Sequence, residues 1–411
     1  MTTVIDLDER PAEDPEQPRP VRHRRWWAAA ILLVPLLIGG SSAAPLRDPV
    51  AILPGDRISG IAGDTSTMYV MSAATVAAYR MPDGARTWST PVPEGTHLVH
   101  TDATRVVVAT QGEPVLIGLD AGTGAEVWRQ TGYMPAVYGC TCADGVVVAQ
   151  HVAPGVATAD IAGLDPGTGA ARWTLAPPPG GVQRLVFTGD LRVQVAVLDA
   201  DGTLRLHRAD TGAVVRTVKL DNPGPVNEFA MSGDRLLAYR VGDATVLDGT
   251  VFDLATGKRL FERKAPYLVW CGPMLCAGDQ EGPTQVFDRD TGGQRWQLAG
   301  SPAGIRLTGQ YLMEPPGTVG IRIYEPATGR LVTQLDGWTP VGALDEPSLL
   351  VVGHDPRSTA PLLGVFDPAT GRATVLGRAD AKADPQECFI AGALLACRLD
   401  ASRAGVWEVP A

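Results

Sequence analysis

Aromatic side chains make up only 6% of the 411 residues, and lysine is rarer still, with 4 copies against 31 of arginine. The sequence contains no Gly-x-Ser-x-Gly nucleophile elbow, no Gly-x-x-x-x-Gly-Lys phosphate loop and no Gly-x-Gly-x-x-Gly opening a helix. Hydrolases built on that elbow, P-loop NTPases and dinucleotide-binding enzymes are thereby left without their anchoring residues. A net charge of −10, with no Lys/Arg-rich stripe interleaved with aromatics, excludes a nucleic-acid-binding surface. The six histidines, His23, His97, His100, His151, His207 and His354, show no zinc spacing. His97 and His100 lie three apart on a predicted strand, hence on opposite faces, which favours structural roles for both. No long segment keeps a clean 3.6-residue apolar period, and this excludes helical repeats.

What is present is one short stretch written eight times. "LDAGTGAEVW" (119–128) returns as "LDPGTGAARW" (164–173), and looser copies begin at Tyr79, His207, Phe252, Phe287, Tyr324 and Phe366. Successive starts are 40, 45, 43, 45, 35, 37 and 42 residues apart. A catalytic motif is normally written once, whereas a motif at a steady period is a building unit; with helical repeats excluded, this period belongs to propeller blades. Short apolar runs lie between the copies, such as "RVVVAT" at 105–110, "RLLAYR" at 235–240 and "SLLVVG" at 348–353. Their length and bounding turns predict strands buried between two layers.

Each copy is predicted to be strand, tight turn, strand. The Asp120 carboxylate can accept hydrogen bonds from turn N–H groups two or three residues on, and Gly124 can take the positive φ of a bulged hairpin turn. Thr-Gly fills that place in seven copies, Asp83-Gly84 in the first, while Arg208 and Glu325 replace the Asp in two. Asp120, Asp165, Asp253, Asp288 and Asp367 therefore sit at the same turn of different units. They cannot converge on one calcium ion, which needs six to eight oxygens within about 2.6 Å.

Four copies close with Trp88, Trp128, Trp173 and Trp296, at the end of the fourth strand of their units. Together with the Thr-Gly turns and the period, this resembles the pyrroloquinoline-quinone-type (PQQ-like) β-propeller repeat over roughly residues 46–411. The resemblance implies an all-β propeller of four-stranded blades in which those tryptophans dock one blade to the next. The other common propeller repeat of this length carries a Trp-Asp pair, and none occurs here. Eight units run from Arg57 to Leu376, and residues 387–409 supply three more strands, which the lone strand "PVAIL" (49–53) can complete. The expectation is eight or nine blades, closed by a terminal strand.

The first 25 residues hold six acids, five arginines and four prolines with few apolar residues, the composition of a disordered tail. Residues 26–44, "WWAAAILLVPLLIGGSSAA", are 19 residues without a charge. As a helix they would span about 28 Å, close to the thickness of a bilayer core. Arg19, Arg22, Arg24 and Arg25 precede this stretch, so the expected topology keeps the tail cytoplasmic and the propeller of 45–411 extracytoplasmic, held by one transmembrane signal-anchor helix. A cleaved signal peptide ending at Ala44 is the alternative.

All six cysteines follow the apolar stretch. Cys271 and Cys276 sit symmetrically about 273–274, and Cys388 and Cys397 about 392–393, so each pair is predicted to face across a hairpin as a disulfide worth about 2 to 3 kcal/mol. Cys140 and Cys142, two apart on one strand, share a face but would bridge only under strain, and their pairing stays open. In the quinone-dependent dehydrogenases of the resembled family, adjacent cysteines form the cofactor platform; here no Cys-Cys pair exists, and "CTC" departs from that pattern. Units of 35 to 45 residues also leave no insertions for a lid over a cofactor.

The sequence thus points to a non-catalytic protein-binding or assembly scaffold at the cell envelope, without cofactor or metal, whose partner is an envelope or secreted protein. A ligand-binding sensor is the alternative, and a PQQ-dependent dehydrogenase a more distant one. Recognition is expected on the face carrying the Pro-rich loops at 151–160, 176–181, 221–225, 313–317 and 354–361, which differ from unit to unit, and away from the uniform Thr-Gly turns. Intact-mass measurement of membrane-extracted protein checks the anchor: the expected N-terminus precedes residue 26, and one at Pro45 would show cleavage.

Overall fold

The computed structural model describes residues 48–136, 145–152, 159–187, 193–241, 247–279, 282–300, 305–308, 311–317, 320–343, 348–354, 361–378 and 388–408. The expected tail (1–25), the expected span (26–44) and Cys140 and Cys142 lie outside them. Among the described residues no helix is long and apolar enough to cross a membrane.

The described chain folds into nine antiparallel four-stranded sheets, a nine-bladed propeller. Blades one to eight are consecutive up-and-down meanders, beginning with 60–91 and ending with 338–378. Each buries both sheet faces. The second strand of blade two (Arg105–Thr110, RVVVAT) has burial that is continuous and not alternating, because a neighbouring blade covers either side. Fourth strands are the outer ones and are mostly exposed, as in Val214–Lys219.

Blade nine settles the count. Its first three strands are Cys388–Ala391, Leu394–Asp400 and Arg403–Glu408, and its fourth is the N-terminal strand Ala51–Pro54. That strand pairs antiparallel with the last, with Ala51 opposite Val406 and Pro54 opposite Arg403. Ala51 and Leu53 turn inward into a core shared with Met68, Val70 and Tyr79 of blade one and Ala396, Ala404 and Val406 of blade nine. The ring is therefore closed by strand pairing between chain ends and by a common apolar core.

Two features differ from the sequence expectation. Residues 313–317 are not a loop but complete the strand Tyr311–Gly317, which carries on past an irregularity between Glu314 and Gly317. A bulge between Leu98 and His100 interrupts the strand Thr96–Thr101, so the simple alternation that would separate His97 from His100 is broken.

Closure gives a matched test. Leu53 is fully buried whereas Ile52, one residue away, is 44% exposed. In denaturant titration Leu53→Ala should lower the unfolding free energy by about 2 to 5 kcal/mol, while Ile52→Ala should stay within about 0.5 kcal/mol of the parent. Equal effects would mean that the N-terminal strand does not close the ring.

Candidate functional site

In each blade the turn between first and second strands and the turn between third and fourth strands lie on one face. The turn between second and third strands and the connection to the next blade lie on the other.

The first face is nearly uniform. The glycines of its eight third-to-fourth-strand turns, Gly84, Gly124, Gly169, Gly212, Gly257, Gly292, Gly329 and Gly371, all have φ between 66° and 73°. The Gly124 N–H donates to Asp120 O at 2.8 Å and the Asp120 N–H to Ala125 O at 2.8 Å, closing a turn whose bulge falls between Gly118 and Leu119. Asp120 Oδ1 accepts from the N–H groups of Gly122 and Thr123 and from Thr123 Oγ1, and Thr123 Oγ1 accepts from the Ala125 N–H. The Asp and the Thr thus saturate the turn between them, and the same bonds recur around Asp253 and Asp288. Where Arg208 replaces the Asp, its guanidinium grips Asp210 instead.

The predicted tryptophans sit near the start or middle of their fourth strands, not at the end, and each reaches the turn of the next blade. Trp88 Nε1 donates to Ala121 O at 2.8 Å, Trp128 Nε1 to Pro166 O at 2.7 Å and Trp296 Nε1 to Pro326 O at 2.9 Å. Their rings lie where a glycine side chain would be: a Cβ on Gly169 would meet Trp128 Cδ2 at 2.7 Å, and one on Gly124 would meet Trp88 Cδ2 at 2.7 Å. Trp173 packs on Gly212 in the same way, but its Nε1 is buried without a hydrogen-bond partner. Blades lacking the Trp use other residues at this seam. Arg216 donates to Leu254 O at 2.6 Å, and Phe261 packs on Gly292 while Arg263 donates to Gly292 O at 2.6 Å. At the closure Ala51 and Leu53 lie against Gly84.

Sequence reasoning missed a second seam contact. Arg105 donates to Asp120 Oδ2 in its own blade and Gly167 O in the next, and Arg235 likewise joins Asp253 to Asp290. Both arginines open a second strand immediately after its turn, which is the signal that would have found them.

The other face is irregular. A cleft of about 420 Å³ is lined by 180–182, 198–201 and 222–226, and a second of about 210 Å³ by 222–226 with Tyr239, Arg240, Asp248, Arg259 and Glu262. Residues 222–226 separate the two, and Asn222 is one of two described non-glycine residues with positive φ, at 46°. The carboxylates lining the larger cleft are paired, Asp199 with Arg205 and Asp201 with Lys219. Of the other loops predicted on this face, 176–181 is described, whereas 153–158 and 355–360 lie outside the described residues.

His97 and His100 both line a cleft of about 180 Å³ with 59–62 and Phe389, among the first strands of blades one, two and nine. Burial pushes the His97 pKa down. His100 Nε2 lies 2.9 Å from Asp102 Oδ2. Burial raises the Asp102 pKa, but bonds from His100, Thr104 and the Arg105 N–H outweigh it and hold the carboxyl at about 2. Among the described residues no group of three His, Cys, Asp or Glu side chains could hold a metal ion.

Cys271–Cys276 and Cys388–Cys397 are disulfide-bonded, with Cα–Cα distances of 5.8 and 4.1 Å. Cys388 and Cys397 are direct cross-strand partners. Cys271 and Cys276 are not: Cys271 pairs with Met274, so the turn is centred on 272–273 and the bridge runs diagonally. Both join first to second strands, in blades six and nine, and Cys140 and Cys142 fall in the chain between the corresponding strands of blade three.

These features define a PQQ-like repeat propeller. The chain belongs to the family described as outer membrane protein assembly factor BamB, whose model matches residues 72–330. Solved structures it resembles include BamB from Moraxella catarrhalis, at 19% identity over 89% of this chain and 98% of that one, with a TM-score of 0.42. The computationally designed Ika8 protein matches at 15% identity over 88% and 100%, TM-score 0.45, and the C-terminal WD40 domain of Sif2 at 10% over 89% and 99%, TM-score 0.44. No curated protein matches the chain in sequence.

Two predictions test the seam. Gly169 and Gly145 have the same φ of 72°, but only Gly169 faces a ring; nothing lies within 4 Å of a Cβ on Gly145. Gly145→Ala should cost about 1 to 2 kcal/mol for the left-handed backbone alone, and Gly169→Ala clearly more, because the Trp128 ring must also move; equal losses would deny the docking. The second concerns pH. Asp400 is held at about 2 by Arg403 and the Ser402 N–H, and Asp102 at about 2 as above, against an ordinary 3.8. A carboxyl lowered in the folded state stabilises above its unfolded value and loses that contribution as pH falls through the folded one. The denaturation midpoint should therefore fall between about pH 4 and pH 2, and His97, whose pKa burial lowers, adds a decline that starts as pH drops below its ordinary value of 6.5, so the flat region lies above about pH 7.

Proposed function

We propose that this chain is a non-catalytic, extracytoplasmic propeller that serves as a protein-binding or assembly scaffold at the cell envelope, held there by residues 26–44 as a single membrane span. The observation that carries this reading is the contrast between the two faces. On the Thr-Gly face, turn geometry is fixed by the glycine and consumed in docking the next blade, so little of it is free to vary. On the other face the connections carry no shared turn motif, differ from blade to blade and enclose two adjoining clefts about residues 222–226. Recognition needs a surface that varies without unfolding the scaffold, and solenoid-like repetition supplies one. Prolines in 176–181 and 221–225 reduce the ordering cost when such loops meet a partner. The family's description as an assembly factor for outer-membrane proteins agrees with a scaffold, and the oxidised cysteine pairs agree with residence outside the cytoplasm.

The test is crosslinking in the native membrane followed by identification of captured proteins, for the parent and for a variant with 176–181 and 221–226 replaced by Gly-Ser turns. Capture of a defined partner that the loop exchange abolishes is expected, and capture that survives it would refute this choice of face. Detergent-solubilised full-length protein should also show no stoichiometric spectral change with pyrroloquinoline quinone and calcium. Such a change, with dye-linked alcohol oxidation, would replace the scaffold reading by the dehydrogenase one.

A further inference from the structure

Three buried polar atoms meet at the seam between blade three (133–175) and blade four (182–219) and find no hydrogen-bond partner in the protein: Trp173 Nε1, His207 Nε2 and Gln183 Oε1. Their placement follows from the sheet register. His207 stands opposite Val195 and Gln183 opposite Val197, so both turn to the face on which Val195 and Val197 pack with Val146, Val148, Ile161 and Trp173 of blade three. His207 is 6% exposed. Its Nδ1 lies 2.9 Å from Gly212 O, which makes Nδ1 the protonated nitrogen and leaves Nε2 of the neutral ring as an acceptor. The other copies of the motif place at this position a buried apolar side chain, Leu119, Leu164, Phe252, Phe287 or Phe366, or a tyrosine whose hydroxyl donates to an acceptor, Tyr79 to Pro54 O and Tyr324 to Glu314 Oε2. Trp173 lies on Gly212 as Trp128 lies on Gly169, yet only Trp128 completes the contact with a bond to the turn beneath it.

We propose that this seam is the joint at which the ring opens. A buried donor or acceptor without a partner has lost its water without replacement, so parting blades three and four rehydrates three atoms whose bonding the closed ring leaves unmet. A tie across the seam runs from Gln183 Nε2 to Ala159 O at 2.6 Å, near the variable face and away from the Thr-Gly turn. The neighbouring seam differs. Blade four is tied to blade five by the Arg184–Glu228 ion pair, by Arg216 donating to Leu254 O and by the Asp221 N–H donating to Gly257 O. These two blades therefore move together, and the clefts about 222–226, whose walls they supply, stay on one side of the joint and keep their shape. Blade nine, where the chain ends meet, is held to the segment leading into blade one by Arg398 Nη1 donating to Ile58 O at 3.0 Å and by the Ile58 N–H donating to Ala401 O at 2.7 Å. The junction between chain ends is thus not the joint.

Native-state hydrogen exchange of the full-length protein in low denaturant tests this. The Gly84, Gly169 and Gly212 amides are bonded alike within their turns, to Arg80 O at 2.9 Å, Asp165 O at 2.7 Å and Arg208 O at 2.8 Å, and differ in what covers them: the closing strand, Trp128 and Trp173. Gly212 should exchange at least about tenfold faster than either of the others, the effect of one unmet buried group. Its rate should also depend more weakly on denaturant, because only part of the ring opens. A Gly212 rate equal to that of Gly169, or a Gly84 rate that exceeds it, overturns the proposal. Trp173→Phe and Trp128→Phe give a second measurement, since both shrink a ring on a turn glycine but only Trp128→Phe breaks a hydrogen bond. Gly169 exchange should therefore rise in Trp128→Phe about fivefold more than Gly212 exchange rises in Trp173→Phe. Equal rises would mean that Trp173 Nε1 is bonded in solution as Trp128 Nε1 is, and the joint would fall with that result.

Discussion

The left-handed glycine at each third-to-fourth-strand turn is the constraint on which the ring depends. Its φ near 70° bends the chain into the bulged hairpin, and the side chain it lacks is the space taken by the outer strand of the preceding blade. One residue thus completes its own blade and receives its neighbour. Where the neighbour supplies Trp88, Trp128 or Trp296 the contact is doubled, because the ring stacks on the glycine while Nε1 donates to a carbonyl of the same turn; Trp173 keeps the stacking alone. Where it supplies Arg216 the hydrogen bond alone is kept, and where it supplies Phe261 the stacking is kept and Arg263 provides the donor. The seam tolerates these exchanges because both halves of the contact are local and separable.

A ring with a repeated hydrogen-bonded seam at one face can differ at the other. The Asp and Thr of the turn satisfy one another and the turn backbone, so little of this face remains open to change without disturbing a seam. The connections between blades follow no such repeated pattern. Residues 222–226 carry Asn222 in a left-handed conformation between two clefts, just past Asp221, whose N–H donates to Gly257 O of the next blade's turn. The N-terminal strand ties closure to the same division, since Ala51 and Leu53 occupy at blade one the place that Trp128 occupies at blade three.

Much of this was legible in the sequence, because the seam is made by residues a few positions apart. Asp120, Thr123, Gly124 and Trp128 lie within one stretch of ten, and the eight copies reveal blades and turns directly. The ninth blade was less so: it has no Thr-Gly turn, since its third and fourth strands come from opposite ends of the chain. Register within a hairpin was harder again. Counting placed the turn between Cys271 and Cys276 one residue too late, because Gly272-Pro273 and not Pro273-Met274 forms its centre. Proline at 315–316 looked like a loop but lies in a strand that carries an irregularity there. The clamps of Arg105 and Arg235 were hidden because each arginine reaches a partner more than fifty positions further along the chain.

Blades are locked to one another at the Thr-Gly turns. Native-state hydrogen exchange at single-residue resolution measures this most directly. If the seam holds the ring, the Gly124, Gly169 and Gly292 amides, each bonded within its turn beneath a neighbour's aromatic ring, should open only with global unfolding and match the slowest strand amides. Amides in 222–226 should exchange orders of magnitude faster. Turn amides that exchange as fast as those loops, while the strands stay protected, would contradict the account.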